Sequence, residues 1–351
     1  MTKTNPGNFF EDFALGQRLR HAAPRTLGEG ERALYTALYG SRFALQSSDA
    51  FARGLGLPGA PLDDLLVFHT VFGKTVPDIS LNAIANLGYA AGRFGQPVYP
   101  GSSLVAESEV IGLKENSNRK TGVVYVRTRG RDQDGRDVVD YVRWVMVRKR
   151  DPESPAPEPV VPELPESVAA EDLAIPDGLD LTGYEWDLAG GALAWEDYEP
   201  GERIDHVDGA TVEESEHQLA TRLYQNTAKV HFDVNAARSG PFDKRIVYGG
   251  HVISMTRAAS FNGLPNAFRV AAINGGRHVA PIFAGDTVYA WTEVLERLEI
   301  PGRGDLGALR LRTLGVKDVG GAGFPDKGEG GKYDPAVVLD FDYTVLMPRG
   351  G

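Results

Sequence analysis

The chain has 351 residues, enough for two hydrophobic cores, and its 42% hydrophobic and 24% charged residues are the balance of an ordinary globular protein. Its 48 acidic against 37 basic residues give a formal charge of −11, which argues against nucleic acid as the main partner and requires any anionic ligand to find a locally basic pocket. Cysteine is absent, so disulfides, thiolate metal sites and cysteine nucleophiles are excluded together.

In chain order, the polar segment 1–8 lacks the apolar run of a signal peptide, and no stretch approaches the roughly 20 apolar residues of a membrane helix. A cytoplasmic protein without membrane contact is expected. Phe10-Glu11-Asp12-Phe13, with Gly16 and Arg18, then opens a pattern that recurs 185 residues later as Trp195-Glu196-Asp197-Tyr198 with Gly201 and Arg203. Leu38-Tyr39 meets Leu223-Tyr224, and Arg127-Thr128 meets Arg312-Thr313, at the same offset. Arg93, Pro97, Gly101 and Glu109-Val110 meet Arg277, Pro281, Gly285 and Glu293-Val294 at an offset of 184. Asp140-Tyr141 faces Asp340-Phe341 at 200, so the second copy carries about fifteen extra residues between Gly315 and Asp340. Their glycines predict a flexible surface loop. So many matches in order establish an internal repeat.

Within each copy the spacing predicts a short helix, over residues 31–39 or 213–224, then a loop and a longer apolar helix, over 62–72 or 250–261. Period-two runs follow, such as Val139-Tyr141-Arg143-Val145-Val147 and Leu339-Phe341-Tyr343-Val345-Met347, and predict half-buried strands. One long helix followed by antiparallel strands is an α+β layout, unlike the βαβ alternation of a nucleotide-binding fold. Between the copies, residues 151–165 hold six prolines and four acidic residues, an extended semi-rigid linker, and a less ordered acidic stretch is expected to about residue 188. The domains are thus 1–150 and 189–351, joined by 151–188.

Of the seven histidines, His21 and His206 occupy matching repeat positions, which favours a structural role. His217 follows Glu213-Glu214-Ser215-Glu216 and is expected to be solvated, whereas His69 lies in an apolar helix and is expected in the core. His231 differs, because its counterpart at offset 185 is Gln46. A structural requirement would apply to both copies, so a titratable imidazole in one alone points to function. Asn226 faces Ser41 in the same comparison; its amide can hold a water but cannot exchange a proton. No His-x-x-x-His spacing points to a metal, and Gly54-Leu55-Gly56-Leu57-Pro58-Gly59 lacks the Lys-Ser/Thr of a phosphate loop. Neither metal nor cofactor is expected.

The run Tyr224-Gln225-Asn226-Thr227-Ala228-Lys229-Val230-His231-Phe232-Asp233 resembles the signature of the MaoC-like enoyl-CoA hydratases, Gly-Asp-x-Asn-Pro-Leu-His-x-Asp. Asn226 falls on the family's catalytic Asp, His231 on its catalytic His and Asp233 on the trailing Asp, while Ala228 and Lys229 replace its Asn and Pro. Arg277 and Pro281, with Gly285-Asp286-Thr287, resemble the family's Arg-x-x-x-Pro…Gly-Asp-Thr, and Ile246-Val247-Tyr248-Gly249-Gly250-His251 its turn into the central helix. Segments 41–51, 68–80 and 116–118 are similar to the mesaconyl-CoA (2-methylfumaryl-CoA) branch, so the resemblance covers nearly the whole chain.

The resemblance implies a tandem (double) hot-dog fold, each copy a curved antiparallel sheet wrapped around one long helix, acting on an acyl-CoA thioester. The implied reaction is reversible hydration of 2-methylfumaryl-CoA to β-methylmalyl-CoA. His231 would act as general base, Asn226 would hold the water, and Asp233 is a candidate second acid. Gly249 and Gly250, at a helix N-terminus, would supply N–H donors to the thioester oxygen, with glycine there to let the thioester approach. Tyr248, Arg238, Arg245 and Arg257 are candidate substrate-binding residues, an arginine being suited to the free carboxylate. The first copy would form part of the acyl or CoA tunnel, and a homodimer is expected. A hot-dog thioesterase and a non-catalytic acyl-CoA-binding protein are the alternatives.

Overall fold

A computed structural model describes residues 3–350. The first half runs β1 (Arg18–Leu27), α1 (Glu29–Tyr39), α2 (Ala44–Ser47), α3 (Asp49–Gly54), α4 (Asp64–Thr75), β2 (Ala83–Phe94), β3 (Ser102–Glu115), β4 (Thr121–Arg131) and β5 (Asp137–Arg148). After α5 (Trp186–Ala189), the second half runs β6 (Arg203–Asp205), β7 (Ala210–Thr211), α6 (Glu214–Leu223), α7 (Val234–Arg238), α8 (Gly249–Ala259), β8 (Arg269–His278), β9 (Thr287–Glu299), β10 (Leu306–Lys317) and β11 (Val337–Pro348). The four predicted helices appear as α1, α4, α6 and α8.

All the strands join one antiparallel sheet, in the order β1-β3-β4-β5-β2-β8-β11-β10-β9-β6, with β7 paired to β9. The seam between the halves is the β2–β8 pair, in which Tyr89 lies opposite Gly276 and Arg93 opposite Ala272. A Cβ on Gly276 would stand 2.8 Å from the Tyr89 ring, so glycine there lets that ring cross from one half into the other. The central helices α4 and α8 both pack on this sheet. All twelve residues of α4 are buried, which explains an apolar sequence on every side of the helix; Asp63 caps it, its carboxylate accepting the Leu65 N–H at 2.9 Å. Tyr39 and Tyr224, equivalent across the repeat, meet hydroxyl to hydroxyl at 2.8 Å where α1 faces α6.

Two segments are more ordered than their composition predicts. The proline-rich linker pairs Val160 with Leu113 of β3 through two backbone bonds of 2.8 and 2.9 Å. Beyond it, residues 166–188 form a packed strap: Val168, Leu173, Leu179, Leu181 and Tyr184 are buried with α3 and β8, and Tyr184 donates to Asn266 at 2.9 Å. The glycine-rich insertion of the second half is likewise tied down, because Arg312 binds both Asp326 and Asp340 and Trp291 donates to the Pro325 carbonyl at 3.0 Å.

Candidate active site

The turn that follows α6 is built for close packing. Gln225 adopts φ 52°, the left-handed region, at the place where the MaoC signature has glycine. Asn226, 5% exposed, donates its backbone N–H to the Thr221 carbonyl at 3.1 Å. Its side-chain oxygen accepts the Ala228 N–H at 2.9 Å, which leaves the Nδ2 amide without a partner among the described residues. This turn rests on α4 of the first half at Gly73, where an added Cβ would fall 1.8 Å from the Tyr224 carbonyl oxygen.

His231 ends the single helical turn that comes next. Its Nδ1 lies 2.8 Å from the Ile246 carbonyl oxygen. A carbonyl only accepts, so Nδ1 carries the hydrogen and Nε2 presents a lone pair. The residue as a whole is half-buried, yet the ring's surroundings are dense enough that desolvation pulls its pKa down to about 4 despite the opposing pull of the Ile246 carbonyl. The imidazole is therefore neutral at ordinary pH. It meets Tyr248 edge to face, with centroids 5.6 Å apart.

Tyr248 precedes α8, whose first residues are Gly249 and Gly250. Their N–H groups belong to the first helical turn and have no partner among the described residues, so they carry the positive end of the helix dipole. Glycine is required there by packing. A Cβ on Gly249 would lie 2.3 Å from the His278 ring, and one on Gly250 would lie 2.4 Å from the Tyr248 ring and 2.6 Å from Nδ1 of His69. This internal packing is a reason for glycine that stands beside the expected one, approach of a thioester.

The remaining candidates are scattered. Asp233 caps α7, its Oδ1 accepting the N–H groups of Asn235 and Ala236 at 3.0 and 3.1 Å. Arg245 is ion-paired with Glu214 and reaches the Phe232 carbonyl at 3.4 Å. Arg238 is exposed at the end of α7. Arg257 is displaced from the site altogether: it lies eight residues beyond Gly249, about 12 Å along the helix, stacked 3.6 Å over Phe43 and hydrogen-bonded to Ser260 and the Ala267 carbonyl.

His217 is fully buried, not solvated, along with Ala220, Thr221 and Leu223 of the same helix; neither ring nitrogen has a hydrogen-bond partner among the described residues, and Nε2 lies 3.5 Å from the Glu214 carboxylate. His21 and His206 are structural, as their symmetry predicts. His21 bridges Asp78 and Ser108 at 2.7 and 2.8 Å, and His206 bridges the Asn262 carbonyl and Thr292, both at 2.7 Å. His69 is buried, as expected.

Sequence reasoning missed what the first half brings to this place. His69 approaches the Tyr248 hydroxyl at 3.4 Å, Phe72 meets the Tyr248 ring at 5.8 Å, and Tyr89 reaches His278 at 3.4 Å. The equivalent positions of the first half are tightly packed. Ser41, Gln46, Tyr35 and Asp63 line a cavity of about 10 Å³, room for one water at most, and Gln46 donates instead to the Phe268 carbonyl at 2.8 Å. Among the described residues no group of three or more His, Asp or Glu is arranged to hold a metal ion, and no helix is long and apolar enough to cross a membrane.

Comparison with known proteins gives a consistent outcome. A family model described as mesaconyl-CoA hydratase matches residues 1–318. The chain is 64% identical over 349 residues to a β-methylmalyl-CoA dehydratase of Chloroflexus aurantiacus, covering 99% of each chain. It is 62% identical over 347 residues to a mesaconyl-CoA hydratase of Cereibacter sphaeroides, covering 99% of this chain and all of the other. The crystal structure of a MaoC domain protein dehydratase from Chloroflexus aurantiacus superposes with a TM-score of 0.98 at 63% identity over the whole of both chains. A Mycobacterium tuberculosis protein with a double hotdog fold shares the fold at 24% identity and a TM-score of 0.76, covering 97% of this chain and 98% of that one.

Proposed function

The chain belongs to the mesaconyl-CoA hydratase family, and on that premise we propose that it is a hydro-lyase that adds water reversibly across the double bond of 2-methylfumaryl-CoA, giving β-methylmalyl-CoA. One observation carries the site assignment. His231, whose Nδ1 is held by the Ile246 carbonyl, packs against the ring of Tyr248, the residue that directly precedes the Gly249 and Gly250 N–H groups, which supports reading base and oxyanion donors as parts of one site. His231 Nε2 takes a proton from water as the water oxygen bonds to the carbon β to the thioester. The π electrons move onto the thioester oxygen, where the helix N-terminus meets the charge. The His231 imidazolium then gives that proton to the α carbon, which restores the neutral base, and reversal of these steps is the dehydration. Asn226 supports the water through Nδ2, the amide group its own turn leaves free.

The conjugated thioester is itself the electrophile, so the reaction draws on no cofactor beyond the CoA of the substrate. Lys229, Arg238 and Lys244 are exposed on the stretch after the catalytic turn, a local excess of cations that suits the CoA phosphates against an overall charge of −11. The first half, its equivalent positions tightly packed, contributes walls to this one. Incubation with mesaconyl-CoA tests the reading: loss of the conjugated absorbance without thiol release is the expected result, and free thiol would make it a thioesterase instead. His231→Ala is expected to abolish turnover, and wild-type turnover in that variant would remove the site assignment.

A further inference from the structure

His278 ends β8, and its ring lies against the first residue of α8. An added Cβ on Gly249 would fall 2.3 Å from Cε1 and 2.4 Å from Nε2 of this imidazole, so ring and helix N-terminus are in contact. Across the seam, the Tyr89 hydroxyl lies 3.4 Å from Nε2. In the tautomer in which Tyr89 donates to Nε2, the ring's hydrogen rests on Nδ1, which has no hydrogen-bond partner among the described residues. The equivalent residue in the first half is Phe94, at the offset of 184 that also relates Arg93 to Arg277. Phe94 is buried and meets Phe68 at 6.5 Å. A position that hydrophobic packing fills in one half thus carries a hydrogen-bond donor in the other, the same asymmetry that separates Gln46 from His231.

We infer that His278 donates a hydrogen bond from its neutral imidazole to the thioester oxygen of the substrate, acting with the N–H groups of Gly249 and Gly250 as a third electrophilic donor. The inference rests on the hydratase reading and adds to it a residue that touches the reacting atoms. Three features agree. The ring stands at the positive end of α8, where the developing oxyanion must sit. Burial, reinforced by the neighbouring His231, holds its pKa down at about 4, so it meets the substrate uncharged. A neutral imidazole at a helix N-terminus can polarise a carbonyl without surrendering its proton to the enolate. It also compensates for a loss: Asn226 leaves the site without the carboxyl group of the MaoC signature, and the enolate then depends more heavily on hydrogen-bond donors.

The test uses the full chain with His278→Phe, the residue that the first half carries, and His278→Gln, which keeps an N–H donor. His278→Phe is expected to lower kcat on mesaconyl-CoA on the order of 100-fold with KM within a few-fold, and His278→Gln to recover at least about tenfold of that. A second readout is spectroscopic. In the His231→Ala protein, bound mesaconyl-CoA is expected to absorb at longer wavelength than free thioester, because the donors polarise the conjugated carbonyl; adding His278→Phe should remove most of that shift. Turnover of His278→Phe within threefold of wild type, or an undiminished shift, would overturn the inference alone. A His231→Ala protein that binds no thioester would overturn the hydratase reading and this inference with it.

Discussion

Gly73→Ala places one methyl group in the half of the molecule that carries none of the proposed catalytic residues. The new Cβ would sit 1.8 Å from the Tyr224 carbonyl oxygen, 2.9 Å from its carbon and 3.4 Å from the Asn226 nitrogen. These are backbone atoms, so no side chain can turn aside, and the contact must open by more than an ångström. Alanine favours a helix interior by about 0.5–1 kcal/mol over glycine; overpacking of this kind costs typically 1–3 kcal/mol and more where backbone must move. The clash wins. What moves is the turn carrying Asn226 and, five residues on, His231, and a displacement near 1 Å at a reacting group costs on the order of 100-fold in rate. We expect kcat on mesaconyl-CoA to fall by about that factor while circular dichroism still shows a folded protein with a modestly lower Tm. The equivalent position in α8 already holds alanine, Ala258, so Ala258→Gly serves as control: it should lose about 1 kcal/mol of stability and keep its kcat. If Gly73→Ala retains kcat within threefold, the turn does not depend on that contact and the reasoning fails.

Other outcomes follow from the same geometry. Because the folded pKa of His231 is lowered to about 4, kcat/KM should stay level as the pH falls from neutrality and drop only through about pH 4; a limb near pH 6.5 would contradict that burial. His69, His206 and His251 have folded pKa values lowered by desolvation to about 3, 4 and 3. Their contribution to stability is complete above the unfolded value of about 6.5 and declines below it, by up to about 1.4 kcal/mol per pH unit for each histidine, which urea melts across that range would record. Asp233→Ala removes the cap of α7 and should cost about 1 kcal/mol with kcat lowered a few-fold at most; abolished turnover would make Asp233 an acid after all. Arg257→Ala should cost on the order of 3 kcal/mol of stability by emptying a buried site and orphaning the Ala267 carbonyl, with KM for the folded enzyme unchanged.

Much of this architecture is legible in the sequence because it is local. The helices announce themselves through periodicity and caps, and the duplication through matched offsets. The seam is different. Ala83–Phe94 and Arg269–His278 are rich in glycine and alanine and are covered on both faces over much of their length, so they show no alternation, and their pairing with each other is a relation between distant segments. Residues 166–188 read as loose because Val168, Leu173, Leu179 and Leu181 follow neither period; what orders them is the surface they cover. His217 was recoverable. With Ala220, Thr221 and Tyr224 it makes the i, i+3, i+4, i+7 spacing of a buried stripe, with Glu214 one turn before it at the exposed end of that stripe.

The site divides along the same line. His231, Asn226, Gly249 and Gly250 lie within 25 residues of one another and can be found from a motif. His278 follows them on the next strand and carries its own signal, the contrast with Phe94, which follows from the argument that separated His231 from Gln46. His69 and Gly73 also differ from their counterparts, Ser254 and Ala258, but they, like Phe72 and Tyr89, would pass as core in a single hot-dog domain. Duplication explains why they serve here. On the proposed reading two joined copies need only one working site, and the first half, whose equivalent position encloses only about 10 Å³, is free to shape its helix α4 and strand β2 around the other. Gly73 facing the Asn226 turn while α8 holds Ala258 is that freedom in its smallest form, one methyl group withheld where the catalytic loop must rest.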